Sequence, residues 1–91
     1  MSDELDKLVQ QWASDENSIE SEFLAIKLKK SKLESELKSK DLITDALKEL
    51  KKIHSSINES DVSIRNKEFT SASKSLKLAV INLIMLLQFY N

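Results

Sequence analysis

Residues 9–26 read Val9-Gln10-Gln11-Trp12-Ala13-Ser14-Asp15-Glu16-Asn17-Ser18-Ile19-Glu20-Ser21-Glu22-Phe23-Leu24-Ala25-Ile26, and the fold turns on whether they form one helix or two. With Val9 at heptad position a, the d positions are Leu5, Trp12, Ile19, Ile26 and Leu33, all apolar. The a positions, Val9, Glu16, Phe23, Lys30 and Leu37, alternate between apolar and charged. This is a coiled-coil-like stripe with polar interruptions. Ser14–Ser18 is rich in capping residues, yet the stripe crosses it in phase from Trp12 to Ile19. Working outward, the register slips near Lys40 and resumes through Ile43, Ala46, Leu47, Leu50, Ile53 and Ile57. A local change of supercoil or a shallow bend is expected there. The spacing thus predicts a long amphipathic helix over residues 1–57, with Ser14–Ser18 as a place where it would break.

Asn58, Ser60, Asp61, Ser63 and Asn66 can all bond local backbone, so residues 58–66 read as a turn. A second stripe follows over residues 67–91: Phe69, Ala72, Leu76, Ala79, Leu83, Leu86 and Tyr90. The fold class is all-α, a long helical hairpin or coiled-coil-like bundle whose first helix is longer than its second. Its expected core is Leu47, Leu50, Ile57, Phe69, Ala72, Leu76, Ala79 and Leu83. At 1.5 Å per residue the arms would measure roughly 80 and 38 Å. The short arm cannot cover the start of the long one. Either the chain folds back near Ser14–Ser18 or another polypeptide covers Leu5, Val9, Trp12, Ile19, Phe23 and Ile26. The expectation is a partner, with Trp12 as its anchor and Lys30 setting register within the seam.

Composition narrows the classes of function. The 91 residues include no Gly, Pro or Cys, so glycine phosphate loops, disulfides, thiol nucleophiles and zinc fingers are excluded. His54 is the lone histidine and reads as an edge-of-seam residue, leaving no catalytic, metal or cofactor site and no small-molecule substrate. A net charge of −1 argues against nucleic acid. Charge is uneven, however: residues 1–22 carry seven acids and one lysine, whereas residues 23–57 carry nine lysines and five acids. Such polarity suits a complementary helical partner. Lys27, Lys29, Lys30 and Lys32 encircle the helix rather than form a stripe. The N-terminus lacks the basic and apolar regions of a signal peptide. Between Leu78 and Tyr90, eleven of thirteen residues are apolar, and Leu78, Ile81, Met85 and Phe89 face away from the Leu76–Leu83–Tyr90 stripe. That run is too short for a membrane span and reads as a helix destined for a larger core.

The stretch Ala46-Leu47-Lys48-Glu49-Leu50-Lys51-Lys52-Ile53, then Ser56-Ile57-Asn58-Glu59, Lys67-Glu68-Phe69, Ala72, Leu76, Ala79 and Leu83, carries a family pattern. Together with Leu33-Glu34-Ser35-Glu36-Leu37 and Asp41-Leu42, it resembles the N-terminal helical region of Dsl/Zeste-White-Ten subunits of vesicle tethering complexes. The resemblance covers residues 33–87. It implies a rod-like, cytoplasmic subunit, peripheral at the endoplasmic reticulum membrane, that helps capture Golgi-derived vesicles. It also implies hetero-oligomer pairing with a sister subunit of the RINT/Tip type, a role that would fall on Leu5, Val9, Trp12, Ile19, Phe23 and Ile26. Two other readings use the same helices: a kinetochore or spindle coiled-coil subunit, and the N-terminal regulatory domain of a SNARE. The latter requires the fold-back at Ser14–Ser18.

Overall fold

Asp15 is the single non-helical residue between α1 (Ser2–Ser14) and α2 (Glu16–Ser39). Its backbone is extended, at φ −134° and ψ 106°. Its carboxylate accepts hydrogen bonds from the Asn17 and Ser18 amides at 3.1 and 3.4 Å and from the Ser18 hydroxyl at 2.9 Å. A cap of this kind contributes about 1 kcal/mol. The expected rod therefore stops at Asp15, and the chain doubles back.

Two more helices follow, α3 (Leu47–Arg65) and α4 (Phe69–Tyr90). The structure, a computed structural model, describes residues 2–90. The all-α bundle expectation holds, with four helices in place of a two-armed hairpin. Residues 1–57 do not form one helix. The slip anticipated near Lys40 is a full reversal over residues 40–46. The turn expected at residues 58–66 lies instead within α3, and the reversal comes at Asn66–Glu68. With α2 at 24 residues and α4 at 22, the predicted mismatch of arms disappears.

Both reversals use the same device. After α2, the Leu42 amide donates to the Leu37 carbonyl at 2.7 Å and the Asp41 amide to Lys38 at 3.2 Å. After α3, the Glu68 amide donates to Ser63 at 2.8 Å and the Lys67 amide to Ile64 at 3.0 Å. These are Schellman closures, which need a left-handed residue and usually take glycine. Here Asp41 and Lys67 fill that place, at φ 61° and 62°. Left-handed backbone costs a residue with a Cβ roughly 1–2 kcal/mol, partly offset by the greater unfolded-state freedom of glycine. Asp41→Gly is accordingly expected to raise stability by about 0.5–1 kcal/mol, seen as a higher urea midpoint at constant m-value. A lower midpoint would show that the Asp41 side chain contributes more than its backbone conformation costs.

Ion pairs fix the helix directions. Lys77 meets Asp6 at 3.2 Å and Lys67 meets Glu16 at 3.0 Å, so α1 runs antiparallel to α4. The Lys67–Glu16 pair also sets the start of α2 beside the end of α3, while Lys30 meets His54 midway at 3.2 Å. Hence α2 and α3 are antiparallel, and the topology is up-down-up-down. The acid-rich start of the chain thus finds its lysines within the same molecule. The bonded Glu16 carboxylate, first as hydrogen-bond acceptor and then as charge, raises the Lys67 ammonium pKa above its ordinary value.

In this arrangement α4 touches all three other helices, α2 touches α1 and α3, and α1 does not reach α3. The helices therefore occupy the corners of a rhombus, with α2 and α4 across its short diagonal, in keeping with extents of 40 × 28 × 18 Å. The most extensive contact is between α3 and α4. Small residues are buried on both helices: Ser56 and Ser60 on α3, and Ala72, Ser73 and Ala79 on α4. The Ser60 hydroxyl donates to the Ala72 carbonyl across that contact at 3.0 Å. The Ser73 hydroxyl turns back onto the Phe69 carbonyl at 2.7 Å, so the fully buried Ser60 and Ser73 hydroxyls are both bonded.

Candidate interaction surface

The residues expected to await a partner lie instead in the chain's own core. Trp12 is 2% exposed, and Ile19, Phe23 and Ile26 are buried in the same cluster as Leu76, Leu83 and Leu86. Leu5 and Val9 are half-buried and pack against that cluster. Lys30 is half-buried, paired with Glu34 at 3.0 Å and close to His54. The cause is the reversal at Asp15, which lays α1 along α4. The assignment of these residues to a partner is therefore corrected: they close the bundle.

Among the expected hairpin core residues, Leu50, Ile57, Ala72, Leu76, Ala79 and Leu83 are buried and Phe69 is half-buried. Leu47 is exposed. Ala46, one residue earlier, takes the buried place at the head of α3, and Leu47 follows it roughly 100° around the helix. His54 is exposed on the edge of α3. Lys27, Lys29 and Lys32 are exposed on α2, where Lys27 lies 5.5 Å from the centre of the Phe23 ring.

Exposed large apolar residues occur on all four helices, Leu8, Leu24, Leu28, Leu47 and Val62 among them, and α4 carries the most. Its Ala72–Leu76–Ala79–Leu83–Leu86 side is enclosed by the other helices. On the opposite side Leu78, Met85 and Phe89 are 53%, 61% and 79% exposed, with Ile81 half-buried between them. At 100° per residue these four positions share one face, and Lys74, also exposed, continues it toward the N-terminus. An aligned apolar face of this kind marks a site of association more often than scattered exposed residues do.

Near its C-terminal end the face dips into a groove of about 250 Å³ between α3 and α4. Met85, Leu86, Phe89 and Tyr90 supply its apolar lining, while Asn82, Asp45 and Glu49 supply the polar part. Phe89 and Tyr90 meet edge-to-face with ring centres 4.9 Å apart. Desolvation first, and then the negative charges of Asp45 and Glu49, raise the Tyr90 phenol pKa above its ordinary value. The groove is thus apolar below and acidic along one rim.

Comparisons with protein-family models, curated proteins and solved structures find no match. The geometry of the chain itself carries the reading. By length and composition α4 is also the one described helix able to cross a membrane, with a mean hydropathy of 1.3 over its most apolar window. A soluble bundle's core helix and a signal sequence pass the same test; a third of that window is buried here, on the side that meets the other three helices. The face opposite the core was visible in the sequence as Leu78, Ile81, Met85 and Phe89. The acidic rim was not, because Asp45 and Glu49 reach it only through the α3–α4 reversal.

Proposed function

We propose that this chain is a non-enzymatic helical interaction module that docks a partner protein on the outward face of α4. One observation carries the reading: Leu78, Met85 and Phe89 stand exposed in line on a helix whose opposite face forms the core. Helices that recognise one another do so through such spaced apolar anchors. The non-enzymatic part draws on the lone histidine, His54, which is exposed and held at 3.2 Å from Lys30.

In its narrower form the proposal makes the module a subunit-pairing segment of a tether between the endoplasmic reticulum and Golgi. The partner is then a RINT/Tip-type subunit, met at the cytoplasmic side of the endoplasmic reticulum. This form rests on the resemblance over residues 33–87, and the pairing surface moves from the start of the chain to α4. The reading as a SNARE regulatory domain draws support from the fold-back at Asp15, which it required. A kinetochore or spindle coiled-coil subunit would use the same heptads.

A photo-crosslinking amino acid at position 85, in cells that express the chain, tests the docking face. A protein adduct is expected at position 85 and none at position 51, where Lys51 sits exposed on α3. Equal labelling at both positions, or no protein adduct at 85, would overturn the proposal.

A further inference from the structure

We infer that the occupant of the α4 face is a second copy of this chain, paired antiparallel about a two-fold axis passing between Ile81 and Asn82. The inference rests on the reading of that face as an interface and names its partner. Three features point to it.

The first is the spacing. Around a centre between Ile81 and Asn82, antiparallel pairing sets Leu78 against Met85 of the other copy, and Lys74 against Phe89. Leu78 and Met85 meet across the axis, the Lys74 stem lies along the Phe89 ring, and the same patch serves both subunits, as a closed two-fold contact requires. From Lys74 to Phe89 the face runs about 22 Å, roughly four turns of helix.

The second feature is charge. The apolar face has a cation at one end, Lys74, and two anions at the other, Asp45 and Glu49, which line the groove with Met85 and Phe89. None of the three joins an ion pair among the described residues. Antiparallel pairing carries Lys74 of each copy to the acidic rim of the other. Parallel pairing would gather the acids of both copies at one end and the lysines at the other. Complementarity therefore selects the antiparallel dimer and sets its register.

The third is extent. A stable interface buries about 800 Å² on each partner. Four turns of one helix with a short rim from α3 fall at or below that size. The dimer is accordingly weak, with dissociation on the order of micromolar.

Sedimentation equilibrium of the full chain over a concentration series tests this. A reversible monomer–dimer equilibrium is expected. Met85→Lys should abolish it while leaving the helical circular dichroism and urea midpoint of the monomer unchanged, since Met85 is exposed. Lys74→Glu should weaken the dimer at least tenfold. Mixing Lys74→Glu chains with Asp45→Lys/Glu49→Lys chains should restore pairing as a heterodimer.

A chain that stays monomeric to millimolar concentration overturns the inference, as does a dimer indifferent to Met85→Lys or to Lys74→Glu. Species larger than a dimer overturn it too, since a closed two-fold contact stops at two copies. Flotation of a monomeric chain with phosphatidylcholine–phosphatidylserine vesicles would make the occupant a lipid surface and overturn it equally. The two proposals fail separately. A different protein crosslinked at position 85, with no self-association, sinks the dimer but keeps the docking face.

Discussion

Truncation of Trp12 to alanine is expected to lower stability by about 3–5 kcal/mol, the range for removing a large buried aromatic side chain. A chain of this size has about 5–14 kcal/mol in all, so the loss is a large part of the total. Trp12 is almost fully enclosed, in one cluster with Ile19 and Phe23 of α2, and the Asp6–Lys77 and Glu16–Lys67 pairs set it beside the start of α4. It is the one buried large side chain among the described residues of α1, the shortest helix. Urea unfolding followed at 222 nm reads the effect, with Leu24→Ala as control. Leu24 is exposed, and its truncation should change stability by less than about 0.5 kcal/mol. Equal midpoints for Trp12→Ala and the parent chain would mean that α1 does not rest on α4 in solution. The leading stripe would then again require a foreign partner.

The second large effect belongs to the α3–α4 contact. Replacing Ser60 by leucine should cost about 2–4 kcal/mol, combining overpacking of about 1–3 kcal/mol with the loss of a hydrogen bond worth about 1 kcal/mol. Ser60 has no exposed surface, and its hydroxyl spans the contact to the Ala72 carbonyl at 3.0 Å. Ser60→Ala removes the bond without adding volume, so its cost should stay near 1 kcal/mol. The difference between the two variants, measured as urea midpoints at equal m-value, isolates the steric part. If leucine is tolerated as well as alanine, α3 and α4 have slack between them and small side chains do not set their separation.

The same serine shows where the sequence was readable and where it was not. An all-helical chain followed from the absence of glycine and proline together with apolar residues at helical spacing. The core of the α3–α4 pair followed too, because Leu50, Ile57, Leu76 and Leu83 keep their period. Residues 58–66 looked like a turn because serine, aspartate and asparagine prefer turns when nothing packs against them. Ser56 and Ser60 are small enough to let α4 approach, and Asp61 pairs with Arg65 one turn on at 3.3 Å. Tertiary packing overrode local preference.

Helix ends were hidden for a related reason. The usual marker of a C-terminal stop is glycine, and this chain ends α2 and α3 with Asp41 and Lys67 in the same backbone conformation. At Asp15 the difficulty was different. The capping residues of Ser14–Ser18 marked the corner as a place for a break, but α1 and α2 both turn their stripes toward one core, so the heptad keeps phase across the reversal and favoured the unbroken rod. The docking face followed the opposite rule. Its apolar members could be placed on the helical wheel, while its acidic rim depends on a contact between residues some 40 positions apart in the chain.

That in-phase stripe gives the Asp15 corner a second meaning. Were Asp15 to become helical, α1 would swing outward as a straight extension of α2, with Trp12 still aligned with Ile19 and Phe23. The bed it vacates on α4 would fit the same arm from a neighbouring molecule, so nearly every native contact could be remade between molecules. Arm exchange is thus the least costly misassembly open to this fold. The short bonds from Asp15 to Asn17 and Ser18 are the local restraint that keeps each arm at home.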